Sequence, residues 1–425
     1  MRTTMHPAEN NTNILIIGGG ASGLAAGCIA ARHGLSVLLL EKNDKLGKKL
    51  LATGNGRCNV MNDGKPAYFG DASFARSVLS YCPPQRVRAF LESLGLVLRQ
   101  EESGRLYPAG NRADMVVSAL TSGLERAGVQ IKTGCEIIKL QAQNGLWQAI
   151  DHQGQRYAAQ KVLLAGGGCA APQLGGTEAM YHLASSLGLS VTPLYPALCA
   201  LETEKKPLHG LTGLRLLSRL TLCDGLRPVA AAQGEALFSE SGLSGVCAMQ
   251  LARDAAMLLA MGKTPTLYMD FSPLNGLCDT RMERKAPDDP NIRYQAMLGW
   301  LKRRANLLPY DGLLSGFLPR PLDRRLLGRT LEDTARLLTA FALPVKGVRG
   351  FKHAQVTAGG VTTRGIDPST MRSPLNSLYL AGELLDVDGD CGGFNLLFAF
   401  ASGILAAEAM AVESPFPLPS DQTKR

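Results

Sequence analysis

The chain has 425 residues, of which 45% are hydrophobic and 19% are charged, and it carries a formal net charge of +9. This length exceeds one ordinary hydrophobic core and predicts two or three domains, while the composition excludes a disordered chain. The positive charge suits anionic ligands. No run of Lys or Arg is interleaved with aromatic residues, which disfavours nucleic acid as a partner.

The ten cysteines are dispersed through apolar stretches, and none of them forms a C-x-x-C pair. That pattern argues against a zinc site and against a disulfide framework, so we expect no metal. It also favours a reducing compartment and predicts a cytoplasmic protein.

The first predicted elements are a buried strand over 14–17, a glycine turn and a helix over 21–32. In the turn, Gly18 permits the sharp bend, Gly20 lets the backbone approach a pyrophosphate, and Gly23 lets the helix pack on the strand. The start of the helix favours phosphate because its N–H groups are free. This segment predicts a dinucleotide site.

A second buried strand is predicted over 37–40, and it ends at Glu41. A carboxylate at this position suits the hydroxyl groups of a ribose and disfavours a 2′-phosphate. Further strands are predicted over 129–140, with a turn at 133–134, and over 160–165, which runs into three glycines.

The character of the sequence changes after about residue 190. Short β-like runs occupy 191–275, a charged and leucine-rich helical pattern occupies 276–340, and strand, turn, strand, loop and helix follow over 354–412. The helical periodicity is clearest over 294–308 and 331–341. These changes predict a discontinuous α/β domain into which a β region and a helical region are inserted.

The C-terminal part carries a second glycine-rich pattern, LYLAGE over 378–383 and GGFNL over 392–396, before a long apolar helix. Together with the first motif it favours one chain folded back to hold an extended dinucleotide, FAD rather than NAD. The apolar segments 14–31 and 391–407 approach the length of a membrane span. Their glycines favour buried ligand-binding elements instead, so we expect no membrane association.

Residues 47–59 read GKKLLATGNGRCN, and this segment resembles the YhiN/BaiN-type (aminoacetone-oxidase-like) flavoprotein family. The similarity continues at 102–108, 164–167 with 175–177, 234–238 with 242–245, 354–361, 381–389 and 392–395. The motifs appear in order along nearly the whole chain.

The resemblance implies an α/β fold with a Rossmann-like FAD-binding domain of the glutathione-reductase type, made from both chain ends, 1–190 and 351–425. It also implies an inserted β-barrel domain over 191–275 and 341–350 and an inserted helical domain over 276–340. The implied cofactor is FAD.

The resemblance further implies which residues contact FAD. The pyrophosphate would be lined by Gly18, Gly20, Ala21, Ser22 and Gly23, the adenosine ribose by Glu41, and the adenine or phosphates by Lys42 and Lys49. The flavin would be approached by Arg57, Cys58 and Asn59, the ribityl chain held by Glu383, and the pyrimidine ring faced by the backbone of Gly393, Phe394, Asn395 and Leu396. Ala165, Gly166 and Gly382 complete the predicted cofactor-binding set.

Three residues are candidates for catalysis, each with an ordinary alternative. Arg57 either stabilises an anionic flavin or substrate or forms a loop salt bridge. Cys58 either lies beside the flavin as a reactive thiol or fills a tight turn, and His353 is either a proton donor or a hydrogen-bonded barrel residue. Cys391 precedes a helix start that could lower its pKa, but a packing role is favoured.

The predicted function is that of an FAD-dependent oxidoreductase that passes hydride through flavin N5. Only one G-x-G-x-x-G motif is present, so NAD(P)H would bind transiently as electron donor for reduction of a small organic substrate. The alternatives are an amine-type oxidase that uses oxygen and a flavoprotein that acts on RNA. The substrate and the oligomeric state stay open.

Overall fold

The computed structural model describes residues 10–65, 67–101, 104–275 and 289–412. The chain divides into two compact units. The first combines residues 1–194 with 356–425, and the second consists of residues 195–355. Thus both chain ends contribute to one unit, and the predicted barrel and helical regions fall in the other.

The first unit contains the larger sheet and two small ones. Its strands are β1 (Asn10–Ile17), β2 (Val37–Leu40), β3 (Met61–Asn62), β4 (Tyr68–Gly70), β5 (Leu98–Gln100), β6 (Arg105–Pro108), β7 (Gln130–Lys132), β8 (Ile137–Gln143), β9 (Leu146–Asp151), β10 (Arg156–Leu164), β18 (Val356–Ala358), β19 (Leu378–Leu380) and β20 (Val387–Gly389). Its helices are α1 (Ala21–Arg32), α2 (Lys48–Ala52), α3 (Ala72–Tyr81), α4 (Pro84–Ser93), α5 (Ala113–Arg126), α6 (Ala179–Ser186) and α12 (Phe394–Val412).

The larger sheet has the strand order β7-β2-β1-β10-β9-β8, and β19 pairs with the C-terminal half of β10. Strands β7, β2, β1, β10 and β19 run parallel, whereas β8 and β9 extend the sheet as an antiparallel hairpin. In register, Ile14 lies between Val37 and Lys161. Strand β1 is thus central, as its apolar sequence predicts.

The strand predicted over 129–140 is wrong as a single element. The chain leaves the sheet after β7, where the backbone N–H groups of Gly134 and Cys135 donate to the carbonyls of Asn43 and Glu41 at 2.9 Å each. It re-enters as β8 at the opposite edge of the sheet. The turn is therefore fixed by contacts to the loop after β2, which local sequence does not reveal.

Helix α12 packs directly on α1. A methyl group on Gly403 would overlap the carbonyl oxygen of Ser22, so the two backbones approach closely at this point. Among the described residues, α12 is the one helix long and apolar enough to cross a membrane, but 67% of its most apolar 18-residue window is buried within the protein. Buried core helices pass the same length and composition test.

The second unit contains a closed six-stranded barrel in the order β12-β15-β14-β13-β16-β17. The strands of this unit are β11 (Tyr195–Ala197), β12 (Leu201–Thr203), β13 (Arg215–Asp224), β14 (Arg227–Phe238), β15 (Gly242–Ser244), β16 (Thr266–Asp270) and β17 (Phe341–Val348). Leu216, Leu220 and Leu222 of β13 alternate into the barrel core, which is the pattern of a strand with one buried face.

Helices accompany the barrel in the second unit. They are α7 (Val246–Gln250), α8 (Ala252–Ala260), α9 (Pro290–Ala305), α10 (Arg320–Leu326) and α11 (Leu331–Thr339). Helix α9 begins where the Asp289 carboxylate accepts from the N–H of Asn291 at 2.8 Å. Part of the predicted helical domain, residues 276–288, lies outside the described residues.

The helical prediction over 331–341 is wrong at its end. Thr330 caps α11 by accepting from the N–H of Asp333 at 3.0 Å, and the helix ends at Thr339. Phe341 instead opens β17 and pairs with Met269 of the barrel. Barrel closure therefore overrides the local helical period.

Candidate functional site

The segments that follow the parallel strands of the large sheet lie at one edge of the first unit. They are Gly18 after β1, Glu41 after β2, Ala165 after β10 and Ala381 after β19. The N–H groups of Ala165 and Ala381 donate to Ile17 and Leu164 at 2.9 and 3.0 Å. The carboxyl edge of a parallel sheet is where such folds bind nucleotides.

The glycine turn has the geometry that its spacing predicts. Gly18 adopts φ +113°, and a methyl group there would overlap the carbonyl group of Ala165. A methyl group on Gly23 would likewise overlap the Gly18 carbonyl oxygen. At Gly20, apart from the adjoining backbone, no atom of the described residues lies within 4 Å of the position that a methyl group would occupy, and none of their side chains caps the first turn of α1. The helix start thus opens onto space that suits an anion.

Glu41 is buried and is held by the loops on both sides of it. Its Oε2 accepts from the N–H of Gly19 at 2.7 Å, and its Oε1 accepts from the backbone and side-chain nitrogens of Asn43 at 2.8 and 2.6 Å. A carboxylate has about four acceptor positions, so one is left for a ribose hydroxyl. The sequence did not predict these hydrogen bonds from Asn43, although Asn43 lies only two residues from Glu41. Burial lowers the pKa of the neighbouring Lys42.

Glu383 stands beside the start of α1. The residue before it, Gly382, approaches Ser22 so closely that a methyl group there would lie 2.7 Å from the Ser22 hydroxyl oxygen. The Lys49 ammonium contacts both oxygens of Glu383, at 3.0 and 2.7 Å, and the N–H of Thr357 donates to Oε1 at 3.0 Å. The structure therefore brings Lys49 to the residue predicted to hold the ribityl chain.

The loop over 389–395, which precedes and begins α12, is closed by hydrogen bonds between its two ends. The Asn395 side chain accepts from the N–H of Gly389 and donates to its carbonyl, both at 2.7 Å. The Asn395 amide thus shapes the loop, while Leu396 lies in the first turn of the helix. Tyr68 supports this turn by donating to the Phe394 carbonyl at 2.9 Å.

Asn59 faces this helix start from the segment after the glycine loop. A methyl group on Gly393, which has φ +103°, would lie 2.8 Å from Asn59 Oδ1. That oxygen is buried and has no hydrogen-bond partner among the described residues. A buried unpaired acceptor is costly, so a ligand N–H is the natural partner for it.

Arg57 and Cys58 occupy different surroundings although they are adjacent. The Arg57 guanidinium donates to Glu101 at 2.7 Å and to Asn111 at 3.1 Å, and it lies 4.2 Å from the centre of the Tyr107 ring. Cys58 is fully buried, and burial raises the pKa of its thiol to about 11. A neutral thiol is a poor nucleophile, which favours the turn-filling role.

Two further candidates are His353 and Cys391. His353 belongs to the second unit, where it is exposed in a turn and its N–H donates to the Gly350 carbonyl at 2.9 Å. Burial raises the pKa of the Cys391 thiol, which supports the favoured packing role. The described part of the chain contains no cluster of His, Cys, Asp or Glu able to hold a metal ion.

The family model described as the HI0933-like protein Rossmann domain matches residues 12–409. The chain belongs to this family. Among curated proteins, the HI0933-like chain is 36% identical over 422 residues to the 3-dehydro-bile acid delta(4,6)-reductase of Clostridium scindens, covering 93% of this chain and 98% of that protein. It is 26% identical to the ribosomal RNA dihydrouridine synthase of Escherichia coli, covering 93% and 96%. The resemblance predicted from the motifs is confirmed.

Among solved structures, the 3-ketosteroid delta1-dehydrogenase of Sterolibacterium denitrificans superposes with a TM-score of 0.50. The sequence identity is 14%, and the match covers 95% of this chain and 99% of that chain. This likeness concerns the fold alone. The predicted fold class is confirmed: the chain has a Rossmann-like FAD-binding fold with an inserted six-stranded barrel. The family similarity supports an FAD-dependent oxidoreductase.

The residues of the first unit fit FAD. The open helix start at Gly20 suits the pyrophosphate, and the remaining acceptor position of Glu41 suits a ribose hydroxyl. The unpaired Oδ1 of Asn59, beside Gly393, suits the single ring N–H of the flavin pyrimidine. These three features would receive the two ends and the middle of one extended molecule.

Proposed function

We propose that this chain reduces a carbon–carbon double bond conjugated to a carbonyl group in a small organic substrate, with NAD(P)H as the electron donor. The observation that carries this proposal is the similarity along almost the full length to a protein named a 3-dehydro-bile acid delta(4,6)-reductase. In such a compound the 4,6-double bonds are conjugated to the 3-keto group. When bound, FAD supplies the hydride chemistry at its N5 atom.

The protein's own part is binding, orientation and electrostatics. The start of α12 directs backbone N–H groups outward and carries the positive end of the helix dipole, which stabilises negative charge nearby. Asn59 would fix the orientation of the ring. The sequence contains one G-x-G-x-x-G motif, which supports transient binding of the nicotinamide rather than a second dinucleotide domain.

The test is anaerobic rapid mixing of the FAD-loaded protein, which is yellow, with NADH and, separately, with NADPH. We expect one nicotinamide to bleach the flavin within seconds, and a 4-ene-3-ketosteroid to restore the colour when added next. The corresponding saturated ketone is the matched control and should leave the flavin bleached. Absence of bleaching over minutes with both nicotinamides would overturn the proposal. Bleaching by an amine, followed by recovery only in oxygen, would support the oxidase instead.

A second candidate is reduction of a base in RNA. It is favoured by the 26% identity to a protein named ribosomal RNA dihydrouridine synthase and by the sequence pI of about 9.1. Dihydrouridine differs from uridine by saturation of a double bond conjugated to a carbonyl, so the bond reduced is of the same kind. Recovery of flavin colour with unmodified ribosomal RNA, but not with the ketosteroid, would favour this candidate. RNA binding that modest salt abolishes, without turnover, would indicate only charge attraction.

A cytoplasmic location is part of the same proposal. Nine cysteines in the described residues are free thiols, and eight of them are buried. Free thiols in this number support a reducing compartment. Cys278 lies outside the described residues.

A further inference from the structure

The Glu383 carboxylate is held from two separate segments that are distant in sequence. The Lys49 ammonium, 334 residues away, contacts both carboxylate oxygens, and the Thr357 N–H donates to one of them. The Thr357 hydroxyl oxygen in turn accepts from the N–H groups of Cys169 and Ala170 at 2.8 and 3.0 Å. The carboxylate thus has one defined position against the loop after β10.

In this arrangement most hydrogen-bond acceptor positions of the Glu383 carboxylate are occupied. Of about four acceptor positions, the two contacts from Lys49 and the one from Thr357 fill three. The remaining position belongs to Oε2, and the Glu383 side chain keeps 18% of its surface exposed. One free acceptor on a fixed carboxylate matches a single hydroxyl of a polyol chain.

Helix α2, which carries Lys49, is joined to the glycine turn by a backbone hydrogen bond. The N–H of Gly47 donates to the Gly19 carbonyl at 2.9 Å, and the Gly19 N–H donates to Glu41. The Lys49 side chain is 31% exposed and directed to Glu383. A partly buried ion pair between two anchored segments is screened less than a surface pair, and here it joins the predicted ribose end of the site to the ribityl end.

We propose that Lys49 is a positioning residue that acts through Glu383: it fixes the carboxylate that receives a ribityl hydroxyl of FAD. This inference rests on the FAD site and is independent of the substrate and of the electron donor. It assigns Lys49 to the ribityl half of the cofactor rather than to the adenine or the phosphates. From the sequence alone, a lysine such as Lys49 is more simply expected to pair with the phosphates.

The experiment compares the binding of FAD and ADP to apoprotein prepared from the full chain. ADP contains the adenosine and pyrophosphate of FAD but no ribityl chain. We expect Lys49→Met to weaken FAD binding by about tenfold, the scale of one charge-assisted hydrogen bond, and to leave ADP binding unchanged. Lys49→Arg should restore most of the FAD affinity. Lys48→Met is the matched control, because Lys48 pairs with Asp44 at 3.0 Å on the same short helix and should bind both ligands normally.

A double-mutant cycle with Glu383→Gln tests whether Lys49 acts through the carboxylate. If it does, the double variant should bind FAD about as weakly as Glu383→Gln alone. Unchanged ADP binding in each variant shows that the adenosine half of the site is folded. An equal loss of FAD and ADP affinity in Lys49→Met would overturn the proposal, since Lys49 would then act on the phosphates. The proposal would also be overturned if the fold-losses of FAD affinity in the two single variants multiply in the double variant.

Discussion

The glycines of the first motif have different tasks, and single substitutions separate them. Gly20 has open space where a methyl group would go, whereas at Gly23 a methyl group would overlap the Gly18 carbonyl oxygen. The first position is therefore free for a ligand, and the second is filled by the protein itself. The same sequence motif thus contains one glycine that is open to a ligand and one that is packed against the protein.

We predict that Gly20→Ala lowers FAD affinity by at least about tenfold, because the methyl group would stand between the helix start and the pyrophosphate. Its cost to the free energy of unfolding should stay below about 1.5 kcal/mol, the range of helix-cap changes. Gly23→Ala should destabilise the apoprotein by more, about 2–3 kcal/mol, because backbone must move. Urea unfolding and FAD titration measure both. Normal FAD binding by Gly20→Ala would remove the pyrophosphate from this position.

Individual residues also show where sequence reasoning ends. The glycine turn and Glu41 could be predicted because the spacing of the motif is local and because Gly19 donates to Glu41, only 22 residues away. The contact between Lys49 and Glu383 spans 334 residues and depends on the whole unit being folded. Thr357 lay within a recognised motif, but nothing local distinguishes its N–H from the others. Arg57 likewise donates to Glu101 and Asn111, 44 and 54 residues away, and nothing local selects these partners.

At the scale of elements, the two glycine-rich chain ends meet as one packed pair of helices. Helix α12 approaches α1 at Gly403 and Ser22, and Gly382 approaches the same serine. The two glycine-rich motifs predicted a chain folded back on one dinucleotide, but they did not predict this contact between the helices. The break between β7 and β8 could not be predicted, because it depends on hydrogen bonds to the Asn43 and Glu41 carbonyls, about 90 residues earlier in the chain.

We predict that Gly403→Ala separates α12 from α1. The new methyl group would meet the Ser22 backbone, which has no free rotamer, and overpacking of this kind costs about 1–3 kcal/mol. Gly27→Ala is the matched control on α1: its methyl group would lie 2.6 Å from a terminal carbon of Leu124, a side chain that can rotate. Both substitutions gain about 1 kcal/mol in helix propensity, which offsets the side-chain strain at Gly27 but not the backbone overlap at Gly403.

Urea unfolding midpoints of the apoproteins test this comparison, and FAD titration provides a second measurement. Gly403→Ala should also bind FAD more weakly, because moving α1 displaces the helix start that faces the pyrophosphate. Equal midpoints for the two variants would contradict the close approach of the helices. Weaker FAD binding by Gly27→Ala alone would do so too.

At the scale of the whole molecule, buried thiols make the chain sensitive to alkali. Burial raises the pKa of Cys28 and Cys58 to about 11 and of Cys82, Cys169 and Cys199 to about 12, from an ordinary value of 9.0. These residues occur in both units. Between pH 9 and 11 the unfolded chain releases thiol protons that the folded chain retains.

The sign of the effect follows from proton linkage. Because the unfolded state binds fewer protons in this range, the free energy of unfolding must fall as the pH rises, and the contribution is fully present only below about pH 9. Each such thiol lowers the free energy of unfolding by about 1 kcal/mol between pH 8 and 10.

We therefore predict a steep fall in urea stability over this interval, measured with reductant present. Cys82→Ala should start less stable at pH 8, because it leaves a small cavity, yet lose about 1 kcal/mol less than the parent by pH 10. A parallel pH dependence in parent and variant would show that Cys82 ionises as freely in the folded chain as in the unfolded one.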